Sequence, residues 1–199
     1  MSYSGEKLNS HSTEIDRRGK IDFQLPPTSQ NDEMFYYFAY GSCMCPVDLK
    51  RSLGEHTHPY VVGAGTLKGY RLGFYRYSTS RKCGVLDMVK DPDKSVKGVL
   101  YQLPLRLSDR LDKREDVPRG GYRPEIIDVH CAGQVYKDVR TYVVVNKLPV
   151  EIAPNDWYFN IVMRGAVTCG LPEEYCWNLF NHMYQLQQQQ QNQVMQMVS

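Results

Sequence analysis

The sequence predicts an α+β fold, a small mixed β-barrel with flanking helices. Between residues 34 and 145, most segments are apolar and aromatic runs bounded by Gly, Pro, Asp and Lys, which is typical of strands. Short helical patterns interrupt these strands twice, and longer ones follow them. Because strands and helices do not alternate regularly, a doubly wound sheet is disfavoured, and six or seven strands can close into a barrel.

The chain of 199 residues is long enough for one good-sized core with a tail at each end. Residues 1–32 are polar, contain Pro26-Pro27 and lack apolar periodicity, which predicts a flexible tail. Residues 33–184 form the predicted folded domain, which has no internal repeat or linker. Residues 185–199 are rich in Gln, which predicts a polar helical extension or a disordered end.

The first half of the folded region starts with an aromatic strand that ends at Gly41-Ser42. Pro46 and Gly54 are placed to start and stop a helix over residues 46–53. The sequence Asp91-Pro92-Asp93 predicts a hairpin turn between the last two of the strands that come next. Those strands are predicted over residues 60–67, 70–77, 84–89 and 96–103.

The second half begins with a helix over residues 105–115, because Leu107, Leu111 and Glu115 recur at helical spacing and Gly120-Gly121 then breaks the pattern. The remaining elements are strands over residues 122–131 and 134–145, joined by a short hairpin at Gly133, and two helices that begin near residues 155 and 172.

Composition bounds the partners and the compartment. Lys and Arg number 24 and Asp and Glu 22, so the net charge of +2 gives no reason to expect nucleic acid or an anionic membrane as a partner. Neither a signal-peptide pattern nor an 18-residue apolar run is present in the sequence. The six cysteines are irregularly spaced, which then favours free thiols in a cytoplasmic setting.

The loop after the first strand is a candidate binding element. It reads Tyr40, Gly41, Ser42, Cys43 and Met44. A tight turn after a strand presents successive backbone N–H groups, which can hold an anion or a carbonyl oxygen. The sequence therefore predicts a substrate-binding loop at residues 40–44.

Glu115 is the candidate for proton transfer. It extends the apolar row of Leu107 and Leu111, and it lies at the C-terminal end of its helix. Burial and the negative helix end both disfavour a charged carboxylate, which suits a group that exchanges protons near neutral pH. By spacing alone, the simpler and favoured interpretation is a solvated Glu115 at the helix end, paired with Lys113, Arg114 or Arg119.

Three blocks of residues in this order resemble the γ-glutamylcyclotransferase superfamily, which includes AIG2-like domains. The blocks are Tyr37-Phe38-Ala39-Tyr40-Gly41-Ser42, then Leu111 to Glu115 with Gly121-Tyr122, then Ala153-Pro154 with Tyr158, Gly165-Ala166 and the segment 170–175. The resemblance covers residues 35–179, nearly all of the predicted folded region.

The resemblance implies an enzyme without metal or cofactor that acts on a small γ-glutamyl substrate. The α-amine of the γ-glutamyl group attacks its own γ-carbonyl, which gives 5-oxoproline and releases an amine or amino acid. Glu115 is then the catalytic residue, and Tyr40, Gly41, Ser42, Cys43, Met44 and Tyr122 bind the substrate. The leaving group stays open, and the oligomeric state is not predicted. Rim residues, such as Arg76, Tyr77 and Arg81, would distinguish one leaving group from another.

Two departures from the family pattern keep alternatives open. Cys43 stands where the family commonly has Asn, and Asp116 stands where it commonly has Gly. A catalytically inactive domain that only binds γ-glutamyl compounds is therefore the alternative function. Two rival sites are a zinc site at Cys43 and Cys45 with nearby histidines, and Ser42 as a nucleophile.

Overall fold

A computed structural model of the chain describes residues 32–198, with side chains up to residue 196. The predicted flexible tail of residues 1–32 therefore lies, except for Asp32, outside the described residues. In the described part, no helix is both long enough and apolar enough to cross a membrane. All six cysteines fall in this part and are free thiols.

Five strands close into a barrel, which confirms the predicted fold class. They are β1 (Met34–Ala39), β2 (Val61–Ser78), β3 (Cys83–Pro104), β4 (Tyr122–Cys131) and β5 (Gln134–Val144). Their order around the barrel is β1-β3-β2-β4-β5. Neighbours are antiparallel except β1 and β5, which pair in parallel through Tyr37 and Arg140, so the barrel is mixed.

The predicted hairpin at residues 91–93 is wrong, and so is the number of strands. Lys68 pairs with Ser95 and Tyr70 pairs with Lys90, so four residues of β3 lie opposite Gly69. The backbone N–H of Asp93 donates to Asp91 Oδ1 at 3.3 Å, which is local turn chemistry inside a continuing strand. The ladder absorbs the extra residues as a bulge, and the chain reverses instead at residues 79–82.

Four α-helices of the described part of the chain flank the barrel: α1 (Pro46–Leu53), α2 (Ser108–Arg114), α3 (Asp156–Thr168) and α4 (Glu173–Val198). Local sequence signals predict the end of α1 and the start of α3. Gly54 adopts the left-handed conformation after α1, and the Asn155 side chain accepts a hydrogen bond from the Tyr158 N–H at the start of α3. The Gln-rich segment continues α4 as helix to Val198.

The helix α3 packs directly on the loop that follows β1. A Cβ atom added at Gly165 would lie 2.6 Å from the Cys45 backbone nitrogen and 2.8 Å from the Met44 carbonyl carbon. Real side chains do not approach backbone atoms so closely. Gly165 therefore lets the helix touch the loop, and this contact fixes the loop from outside the barrel.

Replacement of Gly165 by Ala should destabilise the protein by about 1–3 kcal/mol, because the new methyl group meets backbone atoms that cannot rotate away. Helix propensity alone predicts the opposite, a gain of about 1 kcal/mol. Urea denaturation decides the sign. Val167→Ala, at a largely exposed position of the same helix, is the control and should change stability by less than about 0.5 kcal/mol. A stabilised Gly165→Ala protein would contradict the close packing.

Candidate functional site

A cavity of about 180 Å³ opens at one end of the barrel. Its wall contains charged side chains near the end of α2, tyrosine rings from the strands and α3, and polar residues of the β2–β3 turn. The lining residues are Tyr37, Tyr40, Gly41, Ser42, Cys43, Arg76, Ser78, Thr79, Ser80, Arg81, Val85, Leu86, Lys113, Arg114, Glu115, Asp116, Arg119, Tyr122, Tyr142 and Tyr158.

The loop after β1 forms one wall of this cavity, as a 3-10 turn over Ser42–Met44. The Met44 N–H donates to the Gly41 carbonyl oxygen at 2.9 Å, whereas the N–H groups of Ser42 and Cys43 come first in the turn and have no acceptor within it. Tyr101 holds the turn from below, because its hydroxyl donates to the Met44 carbonyl oxygen at 3.0 Å.

Met44 is the member of the predicted binding loop that the structure does not bring to the cavity. Its N–H is used inside the turn, its side chain is fully buried in the core, and it is not among the lining residues. The four preceding residues, Tyr40 to Cys43, all line the cavity. The sequence could not separate them from Met44, because the turn decides which residues face inward.

Glu115 lies in the same cavity, directly after α2. Its N–H donates to the Leu111 carbonyl oxygen at 3.0 Å, and Glu115 is the residue that caps the C-terminal end of the helix. The side chain is 15% exposed, and its Oε1 accepts a hydrogen bond from the Cys43 thiol at 3.0 Å. The carboxylate therefore faces the loop and is not the solvated group of the simpler interpretation.

The guanidinium of Arg114 connects the loop to α1. It is 8% exposed, and its Nη2 lies 2.6 Å from Asp48 Oδ2. The same nitrogen donates to Ser42 Oγ at 3.1 Å, and Nε donates to Cys43 Sγ at 2.8 Å. Burial would lower the pKa of Arg114, but the groups around it, Cys43, Glu115 and Asp48, raise it well above the usual range.

Sequence reasoning missed this role of Arg114, which it treated only as a base close to Glu115. Asp48 is 66 residues away in sequence. Acidic residues are common in the first turn of a helix, so in the sequence Asp48 looks like an ordinary surface carboxylate. No local signal distinguishes it. Only the packing of α1 against α2 brings the two charges together.

Cys43 lies between the two charged groups, with Arg114 on one side and Glu115 on the other. Burial raises the pKa of its thiol to about 12, and Glu115 adds to this effect while Arg114 opposes it. The group is therefore a neutral thiol at physiological pH. As such it can both accept from the guanidinium and donate to the carboxylate.

The rival sites find no support in the described residues. Within residues 32–198, no three His, Cys, Asp or Glu side chains are grouped as a metal ion would require. The Cys45 sulfur accepts from Arg164 Nε at 3.3 Å, so it has surroundings different from those of Cys43. The Ser42 hydroxyl contacts the Arg114 guanidinium and not a base that could activate it as a nucleophile.

Three tyrosines of the cavity have hydroxyls that are anchored to the backbone. Tyr40 donates to the Tyr142 carbonyl oxygen at 2.6 Å, and Tyr122 donates to the Leu86 carbonyl oxygen at 2.8 Å. Tyr158 accepts from the Leu86 N–H at 3.1 Å. Burial raises the pKa of Tyr40 and Tyr122 well above the usual range, so they offer ring surface and not negative charge.

The backbone conformation of Asp116 is one that favours glycine, the residue expected here from the family resemblance. Its φ is +58°, in the left-handed region that glycine adopts without strain and that Asp tolerates better than most residues. The carboxylate lies 2.7 Å from Arg76 Nη2 and 2.6 Å from Arg119 Nε. Its charge is therefore balanced by two arginines and does not simply add to that of Glu115.

Comparison with known proteins gives a consistent picture. The AIG2-like family profile matches residues 95–179. YkqA of Bacillus subtilis, a provisionally assigned γ-glutamylcyclotransferase, is 37% identical over 159 residues, or 79% of this chain and 55% of YkqA. The γ-glutamylcyclotransferase of Bos taurus is 30% identical over 158 residues, or 74% of this chain and 78% of the bovine one. The chain thus spans about half the length of YkqA and most of the bovine enzyme.

Solved structures show the same similarity at the level of the fold. The crystal structure of YkqA superposes with a TM-score of 0.70 at 36% identity, over 76% of this chain and 55% of that one. A structure named γ-glutamyl cyclotransferase superposes with a TM-score of 0.66 at 25% identity, over 74% of this chain and 86% of that one.

Removal of the Arg114 charge should strongly destabilise the fold. Arg114→Met leaves the carboxylate of Asp48 buried without a partner, so we expect a loss of about 3–5 kcal/mol in urea denaturation. The double variant Arg114→Met/Asp48→Leu removes both charges and should recover a large part of that loss. If the double variant is no more stable than Arg114→Met, the two groups are not energetically coupled.

Proposed function

Because the chain belongs to the γ-glutamylcyclotransferase family, we propose that it converts a γ-glutamyl group to 5-oxoproline and releases an amine or amino acid. The observation that carries the proposal is the position of Glu115. Its carboxylate faces a cavity of substrate size from beside the loop of residues 40–43, 3.0 Å from the Cys43 thiol. The carboxylate of Glu115 and the loop of residues 40–43 therefore line one cavity, which supports the proposal.

The reaction makes one bond and breaks one bond. The α-nitrogen of the glutamyl group forms a bond to its own γ-carbonyl carbon, and the bond from that carbon to the departing nitrogen breaks. Two protons pass overall from the attacking nitrogen, which begins as an ammonium group, to the departing one. Glu115 accepts a proton from the ammonium group and gives it to the departing nitrogen as that bond breaks. It then carries the second proton from the ring nitrogen to the released amine in the same way, so one carboxylate acts twice.

The loop has the complementary task of stabilising negative charge. The N–H groups of Ser42 and Cys43 are assigned to the γ-carbonyl oxygen as it becomes an oxyanion, or to the α-carboxylate of the same group. Arg114 keeps both residues in place through their side chains. The buried Asp48 holds the guanidinium in turn.

Ring closure depends mainly on geometry. The glutamyl chain has to curl so that its two ends meet, and a cavity that enforces this shape converts lost flexibility into rate. The rings of Tyr40 and Tyr122 are fixed by their backbone hydrogen bonds. They are assigned to hold the methylene groups of the curled chain.

The alternative function is a domain that binds γ-glutamyl compounds without turnover. One observation favours this binding function. The Glu115 carboxylate already accepts a hydrogen bond from the Cys43 thiol, in the place of one that a substrate would otherwise supply. The two functions differ in one product, since only the enzyme releases 5-oxoproline.

Glu115→Gln should abolish 5-oxoproline release from γ-glutamyl dipeptides, with a loss of at least about 100-fold in kcat/KM, because the amide cannot accept and return a proton. The product is measured by chromatography with a panel of γ-glutamyl amino acids, amines and glutathione. Glu174→Gln, at an exposed position of α4, is the matched control and should keep full activity.

Two outcomes would contradict the proposal. A wild-type protein that yields no 5-oxoproline from any member of the panel would favour the binding function. A Glu115→Gln protein with wild-type turnover and an unchanged thermal midpoint would place the proton chemistry on another group.

Cys43 provides a second test of the same site. Asn in its place can also accept from Arg114 and donate to Glu115, so Cys43→Asn should keep kcat/KM within about tenfold of the wild type. Cys43→Val has a similar size but no hydrogen-bonding group. Loss of hydrogen bonds to charged groups at about 1.5–3 kcal/mol each predicts a fall of about 10- to 100-fold or more. Equal activity of the Val and Asn variants would remove Cys43 from the account.

A further inference from the structure

Arg81 has an arrangement that the proposed proton chemistry does not use. It lies in the β2–β3 turn, where its carbonyl oxygen accepts from Asn155 Nδ2 at 2.8 Å. Its guanidinium carbon lies 5.2 Å from the centre of the Trp157 ring and 5.3 Å from that of the Tyr158 ring. The side chain is thus held against the start of α3, in the wall of the cavity.

One terminal nitrogen of this guanidinium, Nη1, is buried and has no hydrogen-bond partner among residues 32–198. A buried N–H group without an acceptor is energetically unfavourable, so its position needs a reason. The other arginines are occupied, since Arg114 lies 2.6 Å from Asp48 and Arg76 lies 2.7 Å from Asp116. Among residues 32–198, Arg81 is therefore a half-buried cation of the cavity wall that has no acidic partner and can bind an anionic ligand.

The charge of the whole lining favours a ligand with a surplus of negative charge. Among the described residues, five basic and two acidic side chains line the cavity, and the buried Asp48, outside the lining, pairs with Arg114, one of the five. A γ-glutamyl group brings one ammonium and one carboxylate group, which cancel. A departing amino acid adds a second carboxylate, whereas a departing simple amine adds none.

We propose that Arg81 binds the carboxylate of a departing amino acid, so that γ-glutamyl amino acids are preferred to γ-glutamyl amines. This inference rests on the proposed function of the same site. The carboxylate of the glutamyl half is a less suitable ligand, because it shares a carbon atom with the amine that has to reach Glu115. Within the described chain, Arg81 has no hydrogen bond or ion pair with Glu115 or Cys43.

The departing carboxylate has the required reach. It lies two bonds beyond the nitrogen that leaves, on the side of the scissile bond away from the glutamyl carbons. A planar guanidinium that is held against two aromatic rings is well suited to paired hydrogen bonds with such a group. Specificity then comes from a side chain that takes no part in the proton transfers.

The test compares γ-glutamyl-alanine with γ-glutamyl-ethylamide, which differ only by that carboxylate. The wild type should prefer the dipeptide by about 10- to 100-fold in kcat/KM, as expected for a charged hydrogen-bonded pair. Arg81→Gln should bring the ratio of the two substrates close to one, and Arg81→Lys, which keeps the charge, should give an intermediate ratio. Turnover of the ethylamide by each variant reports that the site has formed.

Arg119→Gln is the matched control. This arginine also lines the cavity, but its side chain is 83% exposed and pairs with Asp116, so its removal should leave the substrate ratio unchanged. A wild-type ratio near one would overturn the inference. So would an Arg81→Gln protein that loses the same factor with both substrates, because that result assigns Arg81 to the glutamyl half or to the fold.

A binding measurement separates this inference from the proposed reaction. Calorimetric titration of both compounds into Glu115→Gln protein, with and without Arg81→Gln, measures the carboxylate preference without turnover. An affinity that depends on the carboxylate and on Arg81, in a wild-type protein that makes no 5-oxoproline, would support the Arg81 site and reject the reaction. Turnover by the wild type without any carboxylate preference would do the reverse.

Discussion

The candidate site depends on the buried guanidinium of Arg114 and on the polar groups that pair with it. An unpaired cation in a protein interior costs several kcal/mol, so polar groups have to converge on it. Those groups come from α1 through Asp48 and from the loop after β1 through Ser42 and Cys43. Because Glu115 follows Arg114 in sequence, the same ion pair that fixes the loop also fixes the proposed proton carrier beside it.

Contacts from the barrel and from α3 complete this arrangement. The loop is held on one side by the Tyr101 hydroxyl from β3 and on the other by the bare backbone of α3 at Gly165. Rigid elements therefore surround a short turn in which the backbone N–H groups of Ser42 and Cys43 have no acceptor. A loop held in this way suits charge stabilisation, because its dipoles do not have to reorganise during the reaction.

Differences from the family pattern become understandable at the level of single residues. Asp116 has the positive φ that favours glycine, and two arginines balance the charge that it adds. Cys43 is a buried neutral thiol that can act as both donor and acceptor, which is the capacity that an Asn amide would provide. Neither change removes a hydrogen bond from Glu115. Both residues are therefore compatible with the proposed proton transfer by Glu115. The proposed binding of a carboxylate by Arg81 depends on neither of them.

The sequence by itself determined the elements whose signals are local: the helix at residues 46–53, the hairpin at Gly133, the start of α3 at Asn155 and the inward row that ends at Glu115. Tertiary structure decided the continuity of β2 through residues 68–69 and of β3 through residues 91–94, the burial of Met44 and the pairing of Arg114 with Asp48. These features depend on contacts between segments far apart in the chain, and a turn signal or a charged residue has the same local appearance whether or not such a partner exists.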